Sequence, residues 1–294
     1  MLKLVSNLTI SFLIKVMNLI NNKKLSSIFL KSETDSLKFL QENGNRIDLK
    51  VVLICLIVAL SLTCTRYLGN PWFVISILDD LNLLRLAEML QGMIDDPVNG
   101  QLYMLTYWAT VVIFFYLVVP IGIIWFVFKE KLSDYGLRSE GALKDYPLYL
   151  YMLVFMIPLV IYFSGSESFL ERYPFYEVGK NESLFPKFFI WEMIYFLQFA
   201  ALEFFFRGFI LHGTKQRFGF YAIFVMVIPY CMIHFGKPMA ETIAAIFAGV
   251  VLGYFSLKSK SIWLGVMIHC SVALTMDLCA LYRKSEFQMS GMFG

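Results

Sequence analysis

The sequence predicts an all-α protein, a polytopic integral membrane helical bundle of about seven transmembrane helices. Hydrophobic residues make up 59% of the 294 residues, charged residues only 16%, and the mean hydropathy is +0.67. Soluble domains of this size contain a larger share of charged residues and a smaller share of hydrophobic residues. Seven stretches approach or exceed the roughly 20 apolar residues that a helix needs to cross a bilayer. These stretches are residues 48–68, 102–128, 146–164, 186–211, 218–234, 241–257 and 261–282.

Lysine and arginine are distributed unevenly between the two ends of these spans. About twice as many lie on the side of the N-terminus as on the opposite side. Because positive charge marks the cytoplasmic side of a membrane protein, we expect the N-terminus to be cytoplasmic. The net charge of +3 gives no further indication of a partner.

The segments outside the spans predict surface structure. Residues 1–24 are apolar but interrupted by Asn7 and Lys15, and no small-residue cleavage site follows. We therefore expect an amphipathic helix on the membrane surface rather than a signal peptide. The acidic loop 69–101 is expected to hold a short surface helix, and 165–185 reads as an outer loop punctuated by proline and glycine.

The composition changes along the chain in a way that indicates its organisation. Charged residues become sparse from residue 186 onward, yet all three histidines lie there. We divide the chain into a cytoplasmic or interfacial segment, N-terminal helices and loops, a core that would carry any chemistry, and a C-terminal tail. These four parts are residues 1–47, 48–185, 186–282 and 283–294.

The run "ALEFFFRGFILHG" places Glu203 and Arg207 four residues apart among aromatic and aliphatic neighbours. Residues at i and i+4 share one face of a helix, so the two side chains can pair. An ionised side chain at mid-bilayer costs several kcal/mol or more and normally faces the bundle interior. Both side chains are therefore expected to point inward, where they could form a structural ion pair, a catalytic site or both.

Two histidines lie in later spans, His234 in "YCMIHFGKP" and His269 in "WLGVMIHCSVALTMD". A glutamate and two imidazoles suit hydrolysis, because a carboxylate can take a proton from water while imidazoles position the water or stabilise an oxyanion. The same residues could form a three-ligand zinc site, although no HExxH helix signature occurs. Either histidine could instead be structural and donate to a backbone carbonyl.

Three short segments together resemble a known family. "EFFFRG", then "YCMIH", then "MIH" are similar to the three motifs of the CAAX protease and bacteriocin-processing (CPBP) family of intramembrane endopeptidases. The resemblance covers residues 186–282 and rests on the order and spacing of the motifs. It implies that Arg207 is the motif arginine and Glu203 the second motif glutamate. It also implies that His234, preceded by the aromatic Tyr230, and His269 are the motif histidines.

Two positions depart from the family pattern. The first motif glutamate, which the resemblance implies to be the base that activates water with the second-motif histidine, is Leu202. The third-motif asparagine or aspartate, which helps to hold the oxyanion, is Ala273. Glu241 and Asp277, which lie seven and eight residues after the motif histidines, could supply a missing polar group.

The resemblance implies an intramembrane endopeptidase that hydrolyses a peptide bond in a membrane-associated protein or peptide. In this prediction Glu203 is the base, His234 shares the water, His269 stabilises the oxyanion and Arg207 holds Glu203. No metal is required, although zinc is not excluded. The expected partners are the substrate and the lipid bilayer, with no nucleic acid, and the expected location is the bacterial inner membrane. The alternative is a catalytically inactive membrane binding protein with an immunity, chaperone or regulatory role.

Overall fold

The chain is all-helical, as the sequence predicts. The structure is a computed structural model that describes residues 23–44, 46–138, 146–179 and 183–290, and within these ranges it contains helices and no strand. The surface helix predicted within residues 1–24 lies almost entirely outside the described residues. The longer helices are α1 (Lys23–Asn43), α2 (Leu49–Leu68), α3 (Pro71–Asp80), α4 (Leu84–Ile94), α5 (Gly100–Ile113), α6 (Tyr146–Phe163), α7 (Lys187–Glu203), α8 (Ala222–Met232), α9 (Met239–Ser259) and α10 (Trp263–Ser290).

Five helical segments of the described chain are long and apolar enough to cross a membrane, which identifies an integral membrane protein. The predicted span 146–164 corresponds to a shorter apolar helix, Tyr149–Phe163. The five longer segments are Leu49–Leu68, Gly100–Phe128, Lys187–Met232, Met239–Ser259 and Trp263–Ser285.

Two predicted spans, 186–211 and 218–234, overlap the single segment Lys187–Met232. This segment is not one straight helix, because α8 packs back against residues 204–212. The chain reverses near Gly219, whose φ of +54° suits glycine. The count of seven spans and the cytoplasmic N-terminus stay predictions.

The segment that carries "EFFFRG" lies at the centre of the bundle. In its most apolar stretch 78% of the residues are buried, against 22–33% in the other four candidate spans. Its aromatic side chains pack inside the protein: the Phe205 ring stacks on Tyr116 at a centroid distance of 4.3 Å, and Phe206 meets Tyr230 edge-on at 5.2 Å. Because of this central position, the polar side chains of Glu192, Gln198, Glu203, Arg207 and His212 on this segment are buried.

Helix α1 packs against residues 213–221, which lie just before α8. The carboxylate of Glu33 accepts a hydrogen bond from the backbone N–H of Phe220 at 3.0 Å, and Ser36 donates to the carbonyl of Arg217 at 3.0 Å. A Cβ at Gly219 would lie 2.6 Å from the same carboxylate, so glycine is also required sterically. Part of the predicted polar segment 1–47 is therefore a helix fastened to the bundle.

The acidic loop 69–101 forms two helices, α3 and α4, where the sequence predicts one short surface helix. Helix α3 begins at Pro71 because the side chain of Asn70 accepts a hydrogen bond from the N–H of Trp72 at 3.1 Å. On α4 the apolar side chains of Leu86, Met89 and Met93 are exposed. An exposed apolar stripe beside a transmembrane helix is typical of a helix in the membrane interface.

An ion pair connects the start of α2 to the segment after residue 128. The Lys50 ammonium lies 2.7 Å from Oε2 of Glu130, and the Tyr135 hydroxyl donates to the same oxygen at 2.5 Å. Burial raises the pKa of Glu130, but the hydrogen bonds from Lys50 and Tyr135 outweigh it and hold that pKa below the ordinary value near 4.5. The carboxylate form of Glu130 thus helps to hold this end of the bundle together.

Candidate active site

Glu203 and Arg207 form a buried ion pair, as the i, i+4 spacing predicts. Nη1 of Arg207 lies 2.8 Å from Oε1 of Glu203, and neither side chain is more than 1% exposed. From Phe204 to His212 the helix continues in π-helical form, immediately after the glutamate. Such π-helical turns occur frequently at functional sites.

His269, on α10, is the partly exposed partner of Glu203. Its Nδ1 lies 2.7 Å from Oε1 of Glu203, and 17% of its side chain is exposed. The two atoms are at ion-pair distance but poorly aligned for a hydrogen bond. Phe199 stacks on the imidazole at a centroid distance of 5.4 Å and an angle of 11°. His269 therefore connects the sealed carboxylate to the accessible side of the site.

Gly265 makes the approach of α10 to Glu203 possible. It lies four residues before His269 and so on the same face of α10. A Cβ at this position would lie 2.8 Å from Cδ of Glu203, well inside the ordinary contact distance. The absent side chain leaves the space that the carboxylate occupies.

Tyr230, on α8, lies beside three of the predicted site residues. Its hydroxyl oxygen is 2.9 Å from Nε2 of His269. The guanidinium carbon of Arg207 lies 4.1 Å from the centre of its ring, the geometry of a cation–π contact. The ring is 4.9 Å from that of His234. Tyr230 thus links His234 to Arg207 and His269.

His234 lies in the turn between α8 and α9. Its Nδ1 lies 2.8 Å from the carbonyl oxygen of Tyr230, and its own carbonyl accepts a hydrogen bond from Thr242 at 2.9 Å. Burial, and then the nearby Lys237 ammonium, lower the pKa of His234 to about 4. The imidazole is therefore neutral at pH 7, with Nδ1 as the donor and Nε2 free to accept a proton.

The four predicted site residues lie in one region, but they are not all in direct contact with one another. Arg207, Glu203, His269 and Tyr230 form a continuous chain of contacts. In the described part of this region, the side-chain hydrogen bond and the ring contact of His234 are both with Tyr230. The sequence identifies Tyr230 only as the motif aromatic and indicates no role for Gly265. The available signals were the hydroxyl of the tyrosine and the spacing of four residues between the glycine and His269.

Some polar atoms of the site have no protein partner among the described residues. They include Oε2 of Glu203 and the Nε and Nη2 atoms of Arg207. Buried polar groups are nearly always hydrogen-bonded, so these atoms, which are sealed inside the bundle, are exceptions. The site therefore has unused polar capacity beside the ion pair.

The two residues that depart from the family motifs are apolar, and the structure buries both of them. Leu202 and Ala273 are each 6% exposed and belong to the main hydrophobic core. Neither of the residues suggested as replacements is paired with Glu203. Glu241 accepts hydrogen bonds from Lys237 at 2.7 Å and from the Tyr173 hydroxyl at 2.8 Å.

Asp277, the other suggested replacement, faces a second buried carboxyl group, that of Glu192 on α7. Asp277 is 0% and Glu192 4% exposed, and the backbone of Phe175 also lies near the Asp277 carboxyl group. Two carboxyl groups in such contact cannot both be ionised without strong repulsion. The pair is separate from the chain of contacts around Glu203.

The remaining candidate groups lie elsewhere. In the described part of the chain no three His, Cys, Asp or Glu side chains are grouped as a metal site requires. His212 is buried with its Nε2 3.1 Å from the Ser256 hydroxyl and its Nδ1 3.0 Å from the Lys215 ammonium. It therefore takes part in a separate polar cluster.

Fold and site together define a polytopic α-helical membrane protein with a buried acid–imidazole centre. Residues 185–275, about a third of the chain, match the family model described as type II CAAX prenyl endopeptidase Rce1-like. The match confirms the resemblance to the CPBP family that the three motifs predict, and it contains all of those motifs. No curated protein and no solved structure matches the chain. The matched family is one of proteases, which supports proteolysis of a membrane-embedded protein as the activity.

Proposed function

We propose that this protein is an intramembrane endopeptidase of the CPBP type that hydrolyses a peptide bond in a membrane-associated protein or peptide. The observation that carries the proposal is the contact of 2.7 Å between Oε1 of Glu203 and Nδ1 of His269. A carboxylate beside one imidazole nitrogen attracts the positive charge that develops on the ring during the reaction, as in other hydrolases. The family match over residues 185–275 supports the same activity.

In the proposed reaction the two imidazoles act at the substrate. Nε2 of His234 accepts a proton from the attacking water and returns it to the leaving amine. His269, when protonated, places positive charge beside the carbonyl oxygen as that oxygen becomes negative. Glu203 stabilises this imidazolium, and Arg207 keeps Glu203 ionised within the bundle. The negative charge of Glu203 thus contributes through His269, since the carboxylate itself is sealed from solvent.

In this arrangement each retained motif residue has a role, although the motif positions 202 and 273 carry leucine and alanine. Without a carboxylate at position 202, proton transfer falls to the neutral imidazole of His234. A histidine with a pKa of about 4 is a weak base, so we expect a modest rate rather than a fast one. The bacterial inner membrane and the nature of the substrate stay predictions.

The test uses the full-length protein in proteoliposomes with fluorogenic peptides, one ending in a prenylated CAAX sequence and one spanning the bilayer. Glu203→Gln, His234→Gln and His269→Gln should each lower cleavage roughly 10²–10⁴-fold, the usual contribution of a proton-transfer group. His212→Gln is the matched control, because His212 is also a histidine within the bundle but lies outside the site. The unfolding temperature of all four variants should be measured in parallel, so that loss of cleavage can be compared with loss of folded protein.

Two results would redirect the proposal. Loss of cleavage on adding a chelator, restored by zinc, would indicate a metal-dependent reaction in place of the proposed one. An intact wild-type protein that cleaves neither peptide, but binds them, would favour the inactive binding role.

A further inference from the structure

Tyr230 contacts three site residues through three different parts of the same amino acid. Its hydroxyl meets Nε2 of His269 at 2.9 Å, its ring lies under Arg207 at 4.1 Å, and its carbonyl oxygen meets Nδ1 of His234 at 2.8 Å. Its side chain is only 1% exposed, so these contacts are made inside the bundle. No other described residue is shown bonded to Nε2 of His269.

These contacts determine which nitrogen of each imidazole carries hydrogen. A carbonyl oxygen only accepts, so Nδ1 of His234 is protonated and its Nε2 holds a lone pair. The Arg207-paired carboxylate of Glu203 also only accepts, so Nδ1 of His269 is protonated as well. In the neutral ring, Nε2 of His269 then accepts a hydrogen bond from the Tyr230 hydroxyl. When the ring is protonated, the hydroxyl can turn and accept instead, which a phenylalanine cannot do.

We propose that Tyr230 is a positioning residue whose hydroxyl holds the His269 ring with Nδ1 directed at Glu203. The 2.7 Å contact with Glu203 is poorly aligned and does not by itself fix the ring. Position 273, one turn further along α10, carries only the methyl group of Ala273. The tyrosine hydroxyl therefore supplies the second point of attachment that a ring needs to keep one orientation.

The decisive substitution is Tyr230→Phe, because it keeps the ring under Arg207 and the backbone carbonyl at His234 and removes only the hydroxyl. The chain has three histidines, so ¹⁵N-histidine NMR of the protein in lipid nanodiscs resolves each ring after assignment with His212→Gln and His234→Gln. The tautomer ratio of His269 should change roughly fivefold, as expected for loss of a hydrogen bond worth about 1 kcal/mol. The resonances of the other two histidines should not move.

The matched control is Tyr107→Phe, which also removes one hydroxyl hydrogen bond, that to the carbonyl of Leu68 at 2.9 Å, away from the site. It should leave all three histidines unchanged. Unchanged His269 resonances in Tyr230→Phe, or changes of equal size at His212, would overturn the inference. Resonance changes of equal size at His269 and His212 would show a general loss of packing rather than the loss of one hydrogen bond.

A kinetic measurement connects the role of Tyr230 to the proposed endopeptidase function. The expected effect on the rate of cleavage rests on that proposed function. Tyr230→Phe should lower kcat about tenfold with little change in KM, because the hydroxyl acts through His269 and not on the bound peptide. An unchanged kcat would overturn the positioning role while the protease proposal stands. Wild-type protein without cleavage would instead end the protease proposal, and the NMR result would still decide whether the hydroxyl orients His269.

Discussion

Gly265→Ala tests whether the close approach of α10 to Glu203 builds the site. The new Cβ would lie 2.8 Å from Cδ of Glu203. Ordinary contacts begin at 3.4 Å, so the carboxyl group or α10 must move by at least 0.6 Å. Glu203 cannot easily retreat, because Arg207 holds it at 2.8 Å and His269 at 2.7 Å.

The displacement has two measurable consequences. Forcing a methyl group into a packed interior typically costs about 1–3 kcal/mol of stability. Misplacing a catalytic group by about 1 Å can cost 10²-fold in rate, so we expect kcat/KM to fall by roughly 10- to 100-fold. Both should be measured on one preparation, by thermal unfolding in detergent micelles and by peptide cleavage in proteoliposomes.

The matched control is Gly122→Ala, in another membrane-spanning helix, where nothing lies within 4 Å of the added Cβ. This variant should keep full activity and be as stable as the wild type or slightly more so, because alanine is the better helix former. In the Gly265→Ala background, Glu203→Asp should recover part of the lost stability, since the shorter side chain withdraws the carboxylate. Gly265→Ala protein with wild-type stability and rate would refute the reasoning from close approach.

Three further predictions concern buried or partly buried charges. Arg207→Met should lower the stability by about 3–5 kcal/mol, because it leaves Glu203 as an uncompensated buried charge, and the double variant with Glu203→Gln should be less damaging than the single one. Glu130→Gln should lower the unfolding temperature near pH 7. The folded-state pKa of Glu130 lies below 4.5, so the carboxylate contributes to stability above that pH. The difference in unfolding temperature between Glu130→Gln and wild type should vanish as the pH falls through the folded-state pKa. Glu192→Gln should leave the unfolding temperature unchanged or raise it, because the amide can donate to Asp277 and removes the repulsion between two carboxyl groups.

Each of these predictions has a result that contradicts it. If the losses of stability in Arg207→Met and Glu203→Gln simply add up in the double variant, the two charges act independently. A pH-independent difference for Glu130→Gln would mean that the side chain contributes shape rather than charge. A large destabilisation by Glu192→Gln would indicate that its carboxyl group has a partner other than Asp277.

Much of the site follows from spacing along one helix. The ion pair between Glu203 and Arg207 could be predicted because residues four apart share a helix face whatever the surrounding fold. The same rule would have placed Gly265 with His269. The partner of Glu203 could not be chosen in this way, because His234 and His269 lie on other parts of the chain, in the turn after α8 and on α10. The depth of a residue in the membrane does not show which way its side chain faces.

The sequence by itself determined that this protein is a helical membrane bundle with its polar residues turned inward. A bilayer core leaves unpaired backbone groups unsatisfied, so long apolar stretches must be helices, and a buried charge must find a partner. Only the tertiary structure decided that Glu203 meets His269, that Tyr230 stands between the two histidines, and that Gly265 makes room for the carboxylate. These helices are apolar on nearly every face, so the pattern of hydropathy does not specify how each one is rotated against its neighbours.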